Sequence, residues 1–219
     1  MNWLAHLLLS DPPIECQMGN VLADVIKGHD RRDLGPLYKL GLRCHREIDN
    51  FTDSHPLFQL SVARLPACWS RFAGILVDIY YDHILAKNWA KYCGETLEQV
   101  TGQFYQAASE RLAELPPFAR EVLSSMIRVD RLGSYQWLGG IQDALTKLSA
   151  RISERVGRAI DLAPAIKDLE ALDAALTEDF SQFFPALVEH ICQWRKDVLA
   201  TADPTLPVPF PDKPPAAAT

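Results

Sequence analysis

The stretch LEQVTGQFYQAASERLAEL, residues 97–115, carries its apolar side chains at helical spacing: Leu97, Val100, Phe104, Ala107, Ala108, Leu112 and Leu115 share one face. Pro116-Pro117 closes this helix and opens the next, which carries Phe118, Val122, Met126 and Val129 as far as Gly133. Working outward, the same period predicts helices over about 134–157 and 165–200, the second containing Pro185, which is expected to kink or split it. Upstream it predicts helices over about 17–27, 36–54 and 70–92, preceded by a short apolar turn or helix. Alternating β-branched runs bounded by tight-turn dipeptides are missing. The expected fold is all-α: one compact domain of seven or eight helices over residues 1–200. The remainder, 201–219, is a Pro-rich tail with six prolines between Asp203 and Thr219, and is expected to be disordered.

Composition sets the outer bounds. A chain of 219 residues with 48% hydrophobic and 23% charged residues has ample material for a core. Its net charge of −6 argues against a sequence-independent nucleic-acid binder, which would be basic. The five cysteines (Cys16, Cys44, Cys68, Cys93, Cys192) are scattered without a CxxC pair, which argues against a disulfide framework and for a reducing compartment. The opening MNWLAHLLLS has no basic flank and is too short for a signal peptide, and no later run matches a membrane span. A cytoplasmic protein without a membrane segment is the expectation.

Chemistry-bearing residues concentrate in the first ninety positions, which hold five of the six histidines. In GLRCHREIDNFTDSH, residues 41–55, His45 and Asp49 stand one helical turn apart, with Thr52 and Asp53 extending the strip. Leu37, Leu40, Cys44, Ile48 and Phe51 form the apolar stripe beside it. In ILVDIYYDHILAKNW, residues 75–89, Asp78 and Asp82 form a second one-turn pair, followed by His83. This helix is apolar almost all round and should be central. Carboxylates there are costly unless paired or bound to a cation. GNVLADVIKG places Asp24 beside Val21 and Val25, and His6 lies in the leading apolar segment.

Each residue taken singly also reads as structure. His6 reads as a hydrogen-bonded core histidine, Asp53 as a helix cap, and Asp49 as a partner for Arg46 or Arg43. His29 and His55 read as loop residues, His190 as part of the last helix, and Cys44 and Tyr81 as core. The conjunction is harder to explain structurally: four separate apolar segments each present a His or an Asp, two of them as one-turn pairs. Mixed imidazole and carboxylate donors without thiolate suit Mn²⁺, Fe²⁺, Zn²⁺ or Mg²⁺. A second concentration is positive. Lys27, Arg31, Arg32, Lys39, Arg43 and Arg46 face only Asp30 and Asp33 across the same twenty residues, which fits an anionic substrate or acidic partner as well as a solvated surface.

Together, MNWLAHLLLS, GNVLADVIKG, the H-R-x-I-D-x-x-T-D string from His45 to Asp53 and the D-x-x-x-D-H from Asp78 to His83 resemble the acyl carrier protein phosphodiesterases. RLGSYQWLGGIQDALTKLSARI, residues 131–152, is similar to that family's tyrosine–tryptophan segment. The resemblance covers about 1–195. It implies an HD-phosphohydrolase-like all-α fold and a divalent metal, most often Mn²⁺, with Mg²⁺ or Fe²⁺ as alternatives. The reaction it implies is hydrolysis of the phosphodiester that joins 4′-phosphopantetheine to a serine of holo-acyl carrier protein, beside fatty acid biosynthesis. Metal ligands are implied among Asp24, His45, Asp49, Asp82, His83 and His6, and catalytic roles for Asp24, Asp78, His83 and Lys27. Arg31, Arg32, Lys39 and Arg43 are expected to dock the acidic carrier protein. Two other readings stand beside this one: an HD-like phosphohydrolase of nucleotides or another small phosphodiester, and a non-enzymatic carrier-binding protein.

Overall fold

The structure is a computed structural model that describes residues 1–201, so the expected Pro-rich tail lies outside the described residues. Twelve α-helices succeed one another in this range: α1 (Trp3–Leu8), α2 (Ile14–Val21), α3 (Asp30–Asp33), α4 (Pro36–Ser54), α5 (Pro56–Arg64), α6 (Ala73–Lys87), α7 (Leu97–Ser109), α8 (Pro117–Arg128), α9 (Arg131–Ser134), α10 (Leu138–Val156), α11 (Ala165–Ala171) and α12 (Asp173–Thr201). Eight of them are eight residues or longer. No strand occurs among the described residues, and none of their helices is long and apolar enough to cross a membrane.

The helix reading of residues 97–115 resolves into α7 plus a 3₁₀ turn at Leu112–Glu114. Thr96 and Gln99 form a capping box at the start of α7, and the Arg120 guanidinium donates to the carbonyls of Leu112, Ala113 and Leu115 at the turn. Pro117 begins α8 at a position where its missing N–H costs nothing. The expected helix 17–27 stops at Val21 and continues as turns, and the expected helix 165–200 breaks at Leu172 instead of Pro185. Helix α12 runs through Pro185 because Phe180, Phe183, Phe184, Leu187 and Ile191 are all fully buried around it, and tertiary packing outweighs the local cost.

Helix α5 has no counterpart in the sequence reading. Its nine residues are nearly patternless, and it is held by Phe58, buried against Tyr81 of α6 and Phe183 of α12, together with a few polar groups. Ser61 donates to Asp179 of α12 at 2.8 Å and lies 2.8 Å from the Tyr81 hydroxyl of α6, while Arg64 Nε donates to the same Asp179 oxygen at 2.8 Å.

Helix α6 is the centre of the domain, as its all-round apolar sequence requires. It packs against α1, α5, α10, α11 and α12, burying Leu76, Val77, Tyr80, Tyr81, Ile84 and Leu85. The closest crossing is α2 on α4. A Cβ at Gly41 would lie 2.2 Å from the Cys16 carbonyl oxygen, and one at Gly19 would lie 2.3 Å from that of Tyr38. Only glycine lets these backbones touch, and the contact brings Asn20 against His45.

Gly41→Ala should therefore lower stability by about 2–3 kcal/mol, a fall of roughly 5–10 °C in Tm for a chain this size. Gly102→Ala on the open face of α7, where a Cβ meets nothing within 4 Å, should raise stability by about 0.5–1 kcal/mol. Paired thermal melts check both signs, and an unchanged Tm for Gly41→Ala refutes the tight crossing.

Candidate metal centre

Six residues are too few for a stable isolated helix, so α1 depends on its neighbours. The buried carboxylate of Asp82, from α6, accepts the backbone N–H of Leu4 at 2.7 Å and of Ala5 at 3.0 Å, filling the place of an N-cap at the positive end of α1. Burial pushes the Asp82 carboxyl up to about 7, against the opposing pull of these two hydrogen bonds.

The cap fixes His6, whose ring meets Asn20 of α2. Asn20 is fully buried, and its side-chain amide donates to the His6 carbonyl at 3.0 Å and to Ser10 Oγ at 2.9 Å. Its Oδ1 is therefore an acceptor and takes the Nδ1–H of His6 at 2.8 Å. On the other side, the Asn20 backbone carbonyl accepts the Nδ1–H of His45, from α4, at 2.9 Å. One residue thus sets both tautomers and turns both Nε2 atoms the same way. The two rings stack with centroids 4.1 Å apart.

Both Nε2 atoms face Asp49: His6 lies 3.3 Å from Oδ1 and His45 lies 3.0 Å from Oδ2. Asp24 Oδ1 is 3.6 Å from His45 Nε2, and the Met1 carbonyl is 2.9 Å from His6 Nε2. The Met1 ammonium lies between Asp49 and Asp78, at 3.3 and 3.1 Å. Burial and the charge of His45 lower His6 to about 4, so its Nε2 is bare and faces two oxygen acceptors. Burial opposes charge on His45, yet contacts with Asp24 and Asp49 raise it to about 9. Asp49 is held well below the usual carboxylate range: burial opposes this, but attraction to His45 and to the Met1 ammonium prevails.

This arrangement fits a divalent ion. His6, His45 and Asp49 each offer a ligand atom, all within 4.8 Å of one another, and His45 Nε2 is buried at ion-pair distance from Asp49 but without hydrogen-bond geometry. Two imidazoles held through Nδ1 by an amide and a carbonyl, beside one or two carboxylates, form a donor set suited to Mn²⁺, Fe²⁺ or Zn²⁺.

The other expected site residues fall in different places. Asp24 is in the turn after α2, not on a buried helix face, and its side chain is 79% exposed at the open side of the cluster. The His45 ring 3.6 Å away lowers its carboxyl, against the effect of partial burial. Asp78 reaches the cluster through the Met1 ammonium; burial raises its carboxyl and the ammonium opposes the shift. Asp82 and His83 do not join the donor set. Asp82 is committed to the α1 cap, and His83 Nδ1 is bonded to the Tyr135 carbonyl at 2.7 Å, near the Tyr80 ring. Both lie on the apolar helix as expected, but their partners are main-chain groups remote in sequence.

Arg31 also differs from expectation. Its guanidinium donates to the carbonyls of Ala23 and Ile26, both at 2.7 Å, and so holds the Asp24 turn from both sides. Arg31, Arg32, Lys39, Arg43 and Arg46 line a groove of about 430 Å³ with Leu42 at its wall. Lys39 Nζ also donates to the Arg32 carbonyl at 2.8 Å. Lys27 lines a separate cavity that includes Asp24. The sequence reading missed Asn20, although one buried amide in an apolar stretch is the kind of residue that needs a stated partner.

Asp82→Ala strips two buried N–H groups of their acceptor and should cost about 2–4 kcal/mol, while Asp82→Asn, which keeps an oxygen, should cost less. Denaturant melts of both variants check the cap, which is refuted if Asp82→Ala is as stable as the parent.

The family model described as acyl carrier protein phosphodiesterase matches residues 1–187. Similar proteins include the acyl carrier protein phosphodiesterases of Serratia proteamaculans, 31% identical, and Yersinia enterocolitica, 29% identical. One from Escherichia coli O157:H7 is 28% identical. Each match covers 86% of this chain and 96% of the relative. No solved structure matches. With its histidine and aspartate motifs falling inside the matched region, the chain belongs to the acyl carrier protein phosphodiesterase family.

Proposed function

We propose that the protein hydrolyses the phosphodiester between 4′-phosphopantetheine and the serine of holo-acyl carrier protein, releasing the serine hydroxyl and the phosphomonoester, with a divalent ion as cofactor. The observation that carries this reading is the convergence of His6, His45 and Asp49, with Asp24 at the open side. Family membership supplies the reaction type and the carrier as substrate. The HD-like relationship rests on the sequence resemblance alone.

In this reading His6, His45 and Asp49 hold the ion, most often Mn²⁺, with Asp24 completing the set or facing the attacking water. Such an ion neutralises phosphoryl charge and acidifies water. The chain's own groups do the rest. Asn20 keeps the Nδ1 protons in place, so both Nε2 atoms stay aimed inward, and a bound ion would take the place of the Nε2 proton that Asp24 and Asp49 favour on His45. Asp24, ionised and exposed beside His45, is placed to orient water and take its proton. Lys27, on the same turn, offers positive charge to the phosphoryl oxygens. Asp78 acts on the cluster's charge from behind, and Asp82 acts by anchoring the helix that carries His6. His83, bonded to a main-chain carbonyl, is left a structural part.

Incubation of the protein and Mn²⁺ with holo-carrier, read by intact mass of the carrier, tests the reaction. Loss of the mass of the prosthetic group is expected, and an unchanged carrier overturns the reading. Asp24→Ala should reduce turnover by at least about a hundredfold with the melting temperature retained, because the side chain is exposed. His45→Ala should abolish stoichiometric Mn²⁺ binding in isothermal titration.

The groove of Arg32, Lys39 and Arg43 suits an acidic carrier. At about 0.15 M salt the Debye length is about 8 Å, so these charges act on encounter and rim contacts. Arg31 is excluded from the docking test because it braces the Asp24 turn. Arg32→Glu with Arg43→Glu should raise KM for the carrier, keep kcat, and flatten the dependence of kcat/KM on salt. A parallel fall in kcat removes the docking role.

A further inference from the structure

Beside the candidate metal centre lies a cavity of about 250 Å³ that the family resemblance did not point to. The segment from Asp24 to Lys27 and Asp30 line one wall, and Phe118 and Ala119 of α8 and Arg151 of α10 face them. Three properties set it apart. It shares Asp24 with the His45 cluster, so a ligand seated there has one end at the candidate centre. Its two cations are uncommitted: neither the Lys27 nor the Arg151 side chain makes a hydrogen bond or ion pair within the described residues. Finally, Phe118 is 57% exposed at its edge, an aromatic ring left in solvent beside charged groups.

A helix of the carrier protein, roughly 10–12 Å across, cannot enter such a space, which lies just below the usual volume of small-ligand pockets, about 300–1,000 Å³. The occupant must be slender and mixed in character along its length, with apolar stretches for Val25, Ile26 and Phe118 and polar groups for the charged side chains. The only part of a holo-carrier with that chemistry is its prosthetic arm. We infer that this cavity is the subsite for the 4′-phosphopantetheine arm, with Phe118 packing along the pantetheine chain and Arg151 and Lys27 contacting its polar groups. The inference rests on the function proposed above and adds the residues that recognise the leaving product. The carrier protein itself then lies on the basic groove, whose Arg31 and Arg32 follow directly in the chain on Asp30 of the cavity lining.

The test uses free 4′-phosphopantetheine, pantetheine and inorganic phosphate as probes in isothermal titration with the full chain and Mn²⁺. Phe118→Ala and Arg151→Ala lie at exposed positions, and thermal melts confirm their folding. Each should weaken 4′-phosphopantetheine about tenfold, about 1.4 kcal/mol, with no change for inorganic phosphate. In kinetics both should raise KM for holo-carrier more than they lower kcat. If the variants bind 4′-phosphopantetheine as tightly as the parent while the parent still strips holo-carrier, the subsite is wrong and the proposed function stands. If the parent leaves holo-carrier intact yet binds 4′-phosphopantetheine in a Phe118-dependent way, the subsite stands and the hydrolytic reading fails. Equal loss of phosphate and 4′-phosphopantetheine binding in Phe118→Ala overturns the subsite by showing that the residue supports the centre as a whole.

Discussion

The candidate centre hangs on one buried amide. Asn20 touches both histidines, the first through its side chain and the second through its main-chain carbonyl, and its own amide protons are spent on α1 and Ser10. The geometry of His6 relative to His45 is therefore set by the position of α2 against α4. That position is possible because Gly19 and Gly41 let two backbones approach within contact distance. A wider crossing would carry Asn20 away from His45 and leave a polar group orphaned in the core, which costs more than the packing it would relieve. Core packing and site geometry are here the same constraint.

The same crowding forces a division of labour among the carboxylates. Asp49 and Asp24 meet the histidines, Asp78 meets the Met1 ammonium, and Asp82 meets two backbone N–H groups. Four aspartates in one region would repel strongly if all were ionised and unpaired. Instead they divide His45, the Met1 ammonium and the backbone N–H groups among them, and their proton affinities separate: Asp49 and Asp24 fall beside His45, while burial makes Asp78 and Asp82 rise.

Where period and composition carry the information, the sequence was readable. Helix α4 begins and ends where Pro36 and His55-Pro56 place it, α6 is central because its residues are apolar on every side, and the His45–Asp49 pair comes from a spacing of four. Contacts with the main chain were not readable. The one-turn pair Asp78 and Asp82 looks the same whether it serves a cation or a helix end, and the deciding partners, the Leu4 and Ala5 N–H groups, leave no trace in side-chain identity. Reading helix through residue 27 placed Asp24 on a buried face, but α2 ends six residues earlier, and Arg31 holds the segment from Ala23 to Ile26 as a turn. Helix α5 lacked amphipathic contrast, and what ties it down is remote in sequence: Phe58 packs on Tyr81 and Phe183, and Ser61 and Arg64 bond Asp179.

The cap on α1 has a consequence for the order of assembly. A six-residue helix cannot persist by itself, and the carboxylate that stabilises it belongs to α6, almost eighty residues further along. During synthesis α1 is made well before that carboxylate exists, so it waits unstructured while later helices form. His6 comes into register only when α6 has docked. The earlier-made segment is thus among the later ones to settle, and the stacked arrangement of His6 and His45 depends on the docked α6. The cluster of His6, His45 and Asp49 is therefore completed together with the core and not ahead of it.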